Sequence, residues 1–292
     1  MKEREKELIE RINELENRLD DYEKKFVKYQ PKTLLRYEVN LVEHCNLNCK
    51  GCYHFSALAD EEYLSLEEYE KDCKRLSELY DGQMSDIGFL GGEPLLHPDI
   101  CEFMRITRKY FPIGQIHILT NGILLNEMKE EFWDSCVKYN IAIQCTRYPL
   151  INVDYDKIGE KVRSLGLKYY YHNDVEKDGE KTLIKYPFDL KGEHNPDYNF
   201  YHCFRANGCV TLSHGKLYTC VMAANFHILN DKLKLGIPLS SRNGIDIYKA
   251  KSCQEISEFL CKPIPFCRHC ALDVEPEKFK WQQSNKEKSE WI

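Results

Sequence analysis

The sequence of 292 residues lacks the features that mark membrane proteins and general nucleic-acid binders. No window holds the roughly 18 consecutive apolar residues that a membrane-spanning helix needs. Residues 1–20 are charged and amphipathic and lack the apolar core of a signal peptide, so we expect a cytoplasmic protein. Lys and Arg total 41 against 47 Asp and Glu, and they are spread along the chain. We therefore expect no membrane partner and no nucleic-acid partner.

Cysteine, in contrast, is abundant, with 14 in the chain, and half of them lie after residue 200. A secreted protein could pair them as disulfides, but the chain shows no export signal. In a reducing compartment, clustered cysteines are more typical of metal ligation than of disulfides. We therefore expect metal sites.

Residues 1–30 carry a narrow apolar stripe with charged residues between its members. The stripe recurs at alternating spacings of four and three and consists of Leu8, Ile12, Leu15, Leu19, Tyr22 and Phe26. About three heptads of this kind predict a coiled-coil-like helix that ends before Pro31. So short a helix needs a partner. The pattern leaves open whether it packs on the protein's own barrel, on a second copy in a homodimer, or on another protein.

Residues 31–200 alternate between predicted strands and predicted helices. The strands are residues 36–42, 86–90, 115–119, 141–146 and 167–172, and the helices lie near residues 65–79, 97–110, 126–139 and 156–164. This order indicates an α/β fold with a parallel sheet and right-handed crossovers. Strands this short suit a partial (β/α) barrel, in which the chemistry lies at the C-terminal ends of the strands.

Residues 201–275 no longer show the alternation of strands and helices, and they are rich in cysteine. They predict a small domain held together by a metal site. Strands 209–213 and 216–221 flank His214-Gly215, which is a hairpin signal, and a helix near residues 254–260 follows. We expect residues 276–292 to be a C-terminal tail.

The loop after the first predicted strand holds Cys45, Cys49 and Cys52 in the spacing C-x3-C-x2-C. Three thiolates this close together can wrap one face of a cubane iron–sulfur cluster. No fourth cysteine is near, so one iron is left open to a substrate-like ligand. The alternative is zinc, although zinc sites more often pair two C-x2-C units.

One βα unit later, a predicted strand runs into Gly91, Gly92, Glu93 and Pro94. Two glycines let the backbone approach a ligand closely, and a carboxylate suits an ammonium group. Taken with the three-cysteine loop, this turn resembles the signature of the radical S-adenosylmethionine (radical SAM) superfamily. The resemblance implies a radical SAM barrel, a [4Fe-4S] cluster on the three cysteines, and S-adenosylmethionine as the cofactor.

In that family the cofactor is cleaved reductively to a 5′-deoxyadenosyl radical, which takes a hydrogen atom from the substrate. The resemblance therefore implies a reducing partner such as flavodoxin or ferredoxin. Gly51 stands where the family usually has an aromatic residue beside the adenine, so Tyr53 or Phe55 is expected there instead. The cofactor-binding residues that the resemblance implies are Tyr53, Gly91, Gly92, Glu93, Pro94, Thr120, Asn121 and Gln144.

The cysteines after residue 200 resemble the twitch extension, a short relative of the SPASM domain that carries one auxiliary [4Fe-4S] cluster. The implied ligands of this second cluster are Cys203, Cys220, Cys267 and Cys270. Cys209 and Cys261 are alternative ligands, and structural zinc is an alternative metal. The chain lacks the further cysteines that a full SPASM domain uses for a second auxiliary cluster.

Cys145 lies at the end of the strand predicted for residues 141–146. A thiol in the barrel mouth could donate a hydrogen atom to a substrate radical, whereas a cysteine facing outward would be part of the core. Further candidates for contact with a small-molecule substrate are Arg147, Tyr148, His172, Asn173 and Arg205.

Three functions stay open. Twitch-bearing relatives include alcohol dehydrogenases, which favours oxidation or epimerisation of a hydroxyl-bearing carbon in a sugar or cyclitol. A radical SAM peptide maturase is the second, although such enzymes usually carry a winged-helix domain that residues 1–30 cannot supply. A non-enzymatic, metal-stapled scaffold is the third, and it would leave the cysteine loop and the glycine turn without a role.

Overall fold

The computed structural model of the protein describes residues 2–29, 35–149, 151–171 and 179–292. Its first element is the helix α1 (Lys2–Tyr29). Leu8, Ile12, Leu15 and Leu19 of its apolar stripe are between 48% and 61% exposed. This part of the helix therefore does not pack on the protein's own barrel, which was one of the three alternatives.

The central unit alternates strands with helices. Its strands are β1 (Leu35–Val42), β2 (Met84–Gly91), β3 (Gln115–Thr120), β4 (Ile141–Cys145) and β5 (Tyr169–Tyr171). The helices between them are α2 (Leu66–Tyr80), α3 (Ile100–Tyr110), α4 (Glu130–Tyr139) and α5 (Tyr155–Ser164). The strands lie in the order β5-β4-β3-β2-β1, and every neighbouring pair is parallel. The predicted α/β class with a parallel sheet is confirmed.

Alternation along the strands divides the sheet into two faces. Phe89 of β2 packs on the helix side, where its ring meets Tyr69 of α2 and Phe103 of α3. The opposite face is polar: a Cβ on Gly88 would lie 2.8 Å from Nε2 of His117 and 3.3 Å from Cγ of Glu38. The helices therefore cover an apolar face, and the polar face lies on the inside of the sheet.

The boundaries of two helices differ from the prediction. The helix predicted from residue 97 begins at Ile100, because a 3-10 turn, Pro94–Leu96, precedes it. The helix predicted from residue 126 begins at Glu130. The last predicted strand is shortened to β5, and position 172 lies outside the described residues.

After residue 171 the described chain adds β6 (Thr182–Lys185), α6 (Pro196–His202), β7 (Thr211–Ser213), β8 (Lys216–Tyr218), α7 (Val221–Lys232), β9 (Gly244–Asp246), α8 (Cys253–Leu260) and β10 (Glu277–Lys280). β7 and β8 form the predicted hairpin, with His214 and Gly215 at φ 47° and 69°. β7 also pairs in parallel with β1, so the hairpin extends the main sheet.

The helix α7 was not predicted. It begins at Val221 because Cys220 caps it, with Sγ accepting from the backbone N–H of Ala223 at 3.4 Å. It is apolar on nearly every side and is buried in a second hydrophobic core, which contains Phe226, Phe266 and Trp291. A helix that is buried all round has no amphipathic period to reveal it.

Residues 276–292 are not a free tail. β10 pairs antiparallel with β6, and Trp291 is buried in the second core. Aromatic side chains anchor the segment, because burying large apolar surfaces stabilises an otherwise polar strand. Within the described ranges, no helix is long and apolar enough to span a membrane.

Candidate functional site

The cysteine loop (residues 44–53) follows β1. Asn48 and Gly51 take left-handed backbone conformations, with φ of 52° and 64°, and these turn the loop. The thiols of Cys45, Cys49 and Cys52 are free and partly buried. Burial raises the pKa of Cys45 to about 12, helped by the charge of Glu93. Burial likewise raises the pKa of Cys49 to about 12, helped by Cys52.

Thiols with raised pKa values become thiolates only when a cation compensates their charge. The cysteine loop holds three such thiols within electrostatic reach of one another, and this donor set fits iron. Zinc would need its ligands in a tight tetrahedron, with Zn–S bonds of about 2.3 Å. In the part of the chain that the structure describes, no three His, Cys, Asp or Glu are arranged to hold a single metal ion. A cubane spreads its ligands over several irons, so the three thiols need not converge on one ion to hold it.

The glycine turn (residues 91–94) lies directly on the start of the cysteine loop. A Cβ on Gly92 would lie 1.8 Å from the carbonyl oxygen of His44. The backbone N–H of Gly92 donates to Val42 at 2.7 Å, and that of Glu93 donates to His44 at 3.2 Å. Only glycine permits this contact at position 92, so the two signatures found in the sequence are adjacent in space.

Glu93 holds the glycine turn to the end of β3. Its Oε1 accepts from Oγ1 of Thr120 at 2.7 Å and from the backbone N–H of Leu95 at 3.1 Å. Its Oε2 accepts from the backbone N–H of Asn121 at 2.9 Å. Burial raises the pKa of this carboxyl to about 7. Glu93 is 1% exposed, and three hydrogen bonds reach its carboxyl group, so its expected contact with an ammonium group stays a prediction.

Asn121 continues the connection to the cysteine loop. Its Nδ2 donates to Oδ1 of Asn46 at 2.8 Å and lies 3.9 Å from Sγ of Cys45. Its backbone carbonyl accepts from the hydroxyl of Tyr155 at 2.8 Å. Gln144 is partly exposed near the end of β4, and Pro94 is buried in the 3-10 turn.

The aromatic residues after Cys52 face the second core. Phe55 is fully buried, with its ring 6.2 Å from that of Phe226, so it is not free to contact an adenine. Tyr53 is partly buried under the guanidinium of Arg205, which lies 4.0 Å from the ring centroid. The Tyr53 hydroxyl donates to the backbone of Ile184 at 3.0 Å.

The C-terminal segment covers the cysteine loop, and the sequence reasoning missed it. Nε1 of Trp281 donates to Sγ of Cys49 at 3.1 Å, and Nε1 of Trp291 donates to the carbonyl of Cys52 at 3.2 Å. Backbone hydrogen bonds also join residues 282 and 284 to residues 50 and 48. The signal in the sequence was that two of its three tryptophans lie in the last twelve residues.

Tyr148 lies beside this contact. Its ring centroid is 5.6 Å from that of Trp281, and burial followed by the charge of Cys49 raises its pKa well above the usual value. Tyr148 was a candidate for substrate binding, and the structure places it against the cysteine loop instead.

Cys203, Cys220, Cys267 and Cys270 form the second cysteine group. Burial is the main cause of the raised pKa values of Cys220, Cys267 and Cys270, and other members of the group raise each of them further. The pKa of Cys267 rises to about 11. Asn199 fixes the last pair by donating to the carbonyls of Cys267 and Cys270. The four cysteines therefore lie within electrostatic reach of one another.

Of the two alternative ligands, Cys209 borders this group. Its charge raises the pKa of Cys220, and its own pKa rises to about 11, chiefly through burial and then through Glu38. Cys261 accepts a hydrogen bond from Nδ2 of Asn207 at 3.4 Å.

Cys145 is not in the barrel mouth. It is fully buried in the main core, together with Ile143 and Tyr155. Its position on the same side of β4 as Ile141 and Ile143 follows from strand alternation. Burial raises the pKa of its thiol to about 12. The structure therefore contradicts its expected role as a donor to a substrate radical and supports the core role.

The remaining candidates for substrate contact have varied surroundings. Arg147 stacks on Tyr171, with its guanidinium 3.6 Å from the ring centroid, and pairs with Asp156 at 3.1 Å. Arg205 is 5% exposed and also lies 4.7 Å from the ring centroid of Tyr186. His172 and Asn173 lie outside the described residues.

The central unit is similar to known proteins. Residues 39–168 match the family model of the radical SAM superfamily, and this match covers less than half of the chain. The GTP 3',8-cyclase of Clostridium botulinum (strain Okra / Type B1) is 31% identical over 140 residues, which cover 44% of this chain and 44% of that protein. A probable GTP 3',8-cyclase of Pyrococcus abyssi is 33% identical over 115 residues, which cover 39% and 35%. The match thus spans less than half the length of these curated relatives.

Two solved structures resemble the chain at low identity. BtrN in complex with AdoMet and 2-DOIA is 17% identical, and the alignment covers 80% of this chain and 94% of that one with a TM-score of 0.49. SuiB of Streptococcus suis bound to S-adenosylmethionine is 20% identical, with 50% and 36% covered and a TM-score of 0.37. Likeness at this level carries no argument about function.

Replacing Gly92 with Ala should disrupt the cysteine loop, because the added Cβ would overlap the carbonyl of His44. We expect the anaerobically reconstituted variant to lose the iron held by this loop, about four atoms per chain for a four-iron cluster. Iron and sulfide analysis measures the loss. Gly236→Ala is the control, because it carries the strain of a left-handed backbone (φ 69°) while its Cβ meets no neighbouring atom. Full iron content in Gly92→Ala would contradict the assigned contact.

Replacing Trp281 with Phe should lower the reduction potential of a cluster on the cysteine loop. Hydrogen bonds to ligating sulfur stabilise the reduced state of a cluster, which carries more negative charge, and so raise its reduction potential. Phenylalanine keeps an aromatic ring at position 281 but has no N–H to donate. Trp291→Phe is the matched control, because its indole donates to a backbone carbonyl of the same loop. The measurement is a redox titration followed by electron paramagnetic resonance. Equal potentials in the two variants, at equal iron content, would refute the role of the Trp281 contact.

Proposed function

We propose that this protein is a radical SAM enzyme with two iron–sulfur clusters, which oxidises a hydroxyl-bearing carbon of a small molecule such as a sugar or cyclitol. The observation that carries the proposal is the contact between the glycine turn and the cysteine loop. Gly92 has no room for a side chain against His44, and the three thiols of the loop lie directly beyond that contact. A scaffold held together by metal would have no need of this close approach.

Cys45, Cys49 and Cys52 would hold the first cluster, with S-adenosylmethionine on its open iron. When bound, these groups would supply a 5′-deoxyadenosyl radical and, at the second cysteine group, an acceptor for an electron. The backbone of Gly91 and Gly92 borders the site, and the Asn121–Asn46 hydrogen bond orients the loop. Trp281 and Tyr148 cover the loop and exclude water from Cys49.

The second cysteine group would hold the auxiliary cluster. A chain of contacts connects it to the first site. The ring of Tyr53, next to Cys52, lies 6.1 Å from that of Tyr186, and the Tyr186 hydroxyl lies 3.6 Å from Sγ of Cys203. Two tyrosines therefore span the space between the cysteine groups. This proximity supports an auxiliary cluster that takes part in the reaction rather than one that only staples the fold.

The position of Cys145 favours oxidation over epimerisation. Oxidation of an alcohol to a carbonyl removes two hydrogens from the substrate. One leaves as a hydrogen atom. The other leaves as a proton, and the remaining electron would pass to the auxiliary cluster. Epimerisation instead returns a hydrogen atom to carbon, which requires a donor such as a thiol at the site. Cys145 was the thiol predicted for this role, and it is enclosed in the core. The electron for cofactor cleavage would come from a flavodoxin or ferredoxin.

Two other activities serve as alternatives to be tested. GTP cyclisation is suggested by the names of the curated relatives, of which this chain covers less than half. Peptide maturation is less well supported, because residues 2–29 form one helix and supply no winged-helix domain.

The two cysteine groups should be separable by mutation. Wild-type protein should bind about eight irons. Changing Cys45, Cys49 and Cys52 to Ala should remove about half of them and abolish 5′-deoxyadenosine formation. Changing Cys267 and Cys270 to Ser should remove the other half, leave cofactor cleavage without substrate intact, and abolish substrate oxidation.

The control for these variants changes Cys101 and Cys253 to Ser, which removes two thiols outside both groups. It should keep the full iron content and activity. A thermal melt checks that each variant is folded, since loss of a metal can unfold a small domain. Cofactor cleavage by the triple variant would overturn the proposal.

Substrate class is tested by incubating the loaded enzyme in deuterated water with sugars, cyclitols, GTP or peptides. Oxidation gives a new carbonyl, detected by mass spectrometry after derivatisation, and no deuterium on carbon. Deuterium gained at carbon would contradict oxidation, and turnover of GTP or peptide alone would favour the corresponding alternative.

A further inference from the structure

The helix α1 presents an apolar stripe that the described part of the chain leaves uncovered. Leu8, Ile12, Leu15 and Leu19 are about half exposed or more, and Ile9 beside them is 54% exposed. Removing such apolar side chains from water is favourable. A stripe of this length on a helix of 28 residues is more than scattered surface apolarity and calls for a partner.

The heptad register assigns each residue of the stripe to a position. Ile12 and Leu19 fall at a positions, and Leu8 and Leu15 fall at d positions. A β-branched residue at a with leucine at d favours two-stranded coiled coils over larger bundles. The partner is therefore expected to be a single helix with the same repeat.

The residues that flank the stripe carry opposite charges on its two sides. The g positions are all basic and consist of Arg4, Arg11, Arg18 and Lys25, whereas the e positions after Ile9 are acidic and consist of Glu16 and Glu23. In a parallel pair, each g residue faces the e residue of the following heptad on the other helix. Arg11 then faces Glu16, and Arg18 faces Glu23, twice each in a homodimer.

An antiparallel pair would set like charges against each other. There g faces g and e faces e, so that arginines would meet arginines and glutamates would meet glutamates. Flanking charges of this kind set both the orientation and the choice of partner. The flanking charges of two copies of the helix are therefore complementary only when the copies are parallel.

We propose that α1 forms a parallel, two-stranded coiled coil with α1 of a second copy of this chain. The apolar stripe is the core of the interface, and the four Arg–Glu pairs specify its orientation. About 28 residues span about 42 Å of helix, enough for three to four heptads. Both copies place their sheet units at the same end of the coiled coil, because each chain continues from the C-terminal end of α1.

The test measures the mass of the full-length, anaerobically purified protein by light scattering. Wild type should be a dimer. Arg11→Glu with Arg18→Glu makes both flanks acidic and should give a monomer, because each charge pair becomes repulsive. Glu16→Arg with Glu23→Arg should do the same by making both flanks basic. Mixing these two monomeric variants should give a heterodimer, and all four changes in one chain should restore the homodimer.

The matched control is Lys6→Glu with Lys24→Glu, which makes the same change in charge at heptad positions b and f, outside positions a, d, e and g. It should remain a dimer. Circular dichroism confirms that each variant keeps its helix content. Three results would overturn the proposal: a monomeric wild type, a dimer that survives both charge reversals, or a four-fold variant that stays monomeric. None of these outcomes depends on iron or on S-adenosylmethionine, so the result is independent of the proposed activity.

Discussion

The buried carboxylate of Glu93 connects every part of the candidate site. It accepts hydrogen bonds from Thr120 at the end of β3 and from Asn121 directly after it, and so fixes the glycine turn to that strand. Asn121 in turn holds Asn46 of the cysteine loop. The carboxylate is fully enclosed, and its three donors offset part of the cost of burying it. A glutamine could not accept from all three donors, because its amide nitrogen offers no acceptor in place of Oε2.

Sequence reasoning succeeded where the signal is local. Each of three predicted features lies within a few residues: the three-cysteine spacing, the two glycines and the His214-Gly215 hairpin. The structure places the glycines against the cysteine loop and forms the hairpin as predicted. The alternation of strands and helices also predicted the parallel sheet, because apolar periodicity reports which face is buried. The helix α7 escaped because it is apolar all round, and the C-terminal segment escaped because its contacts are with residues more than two hundred positions away.

The role predicted for Cys145 was wrong, although the alternation of side chains along its strand indicates which face it occupies. Side chains alternate along a strand, so Cys145 must share a face with Ile141 and Ile143 rather than with Gln144. The apolar character of those two isoleucines already marks their face as the one under the helices. The role of Glu93 was harder to foresee, because it depends on residues that are distant in the sequence. Two of the donors to its side chain come from the end of β3, and the contact of the glycine turn with the cysteine loop buries it.

The cysteine loop and the second core depend on one another. Phe55 of the loop's continuation packs on Phe226 of α7, and Trp291 joins the same core while it binds the carbonyl of Cys52. Asn225, also on α7, accepts from Nδ2 of Asn40 in β1 at 2.9 Å. Since Cys220 caps α7, cysteines of both groups are attached to one packed unit. A change at the second group can therefore reach the first through packing alone. Loss of substrate turnover therefore does not show whether a cluster at the second group would act as an electron acceptor or as a support for the fold. Cofactor cleavage without substrate separates the two roles, because it needs the support but not the electron acceptor.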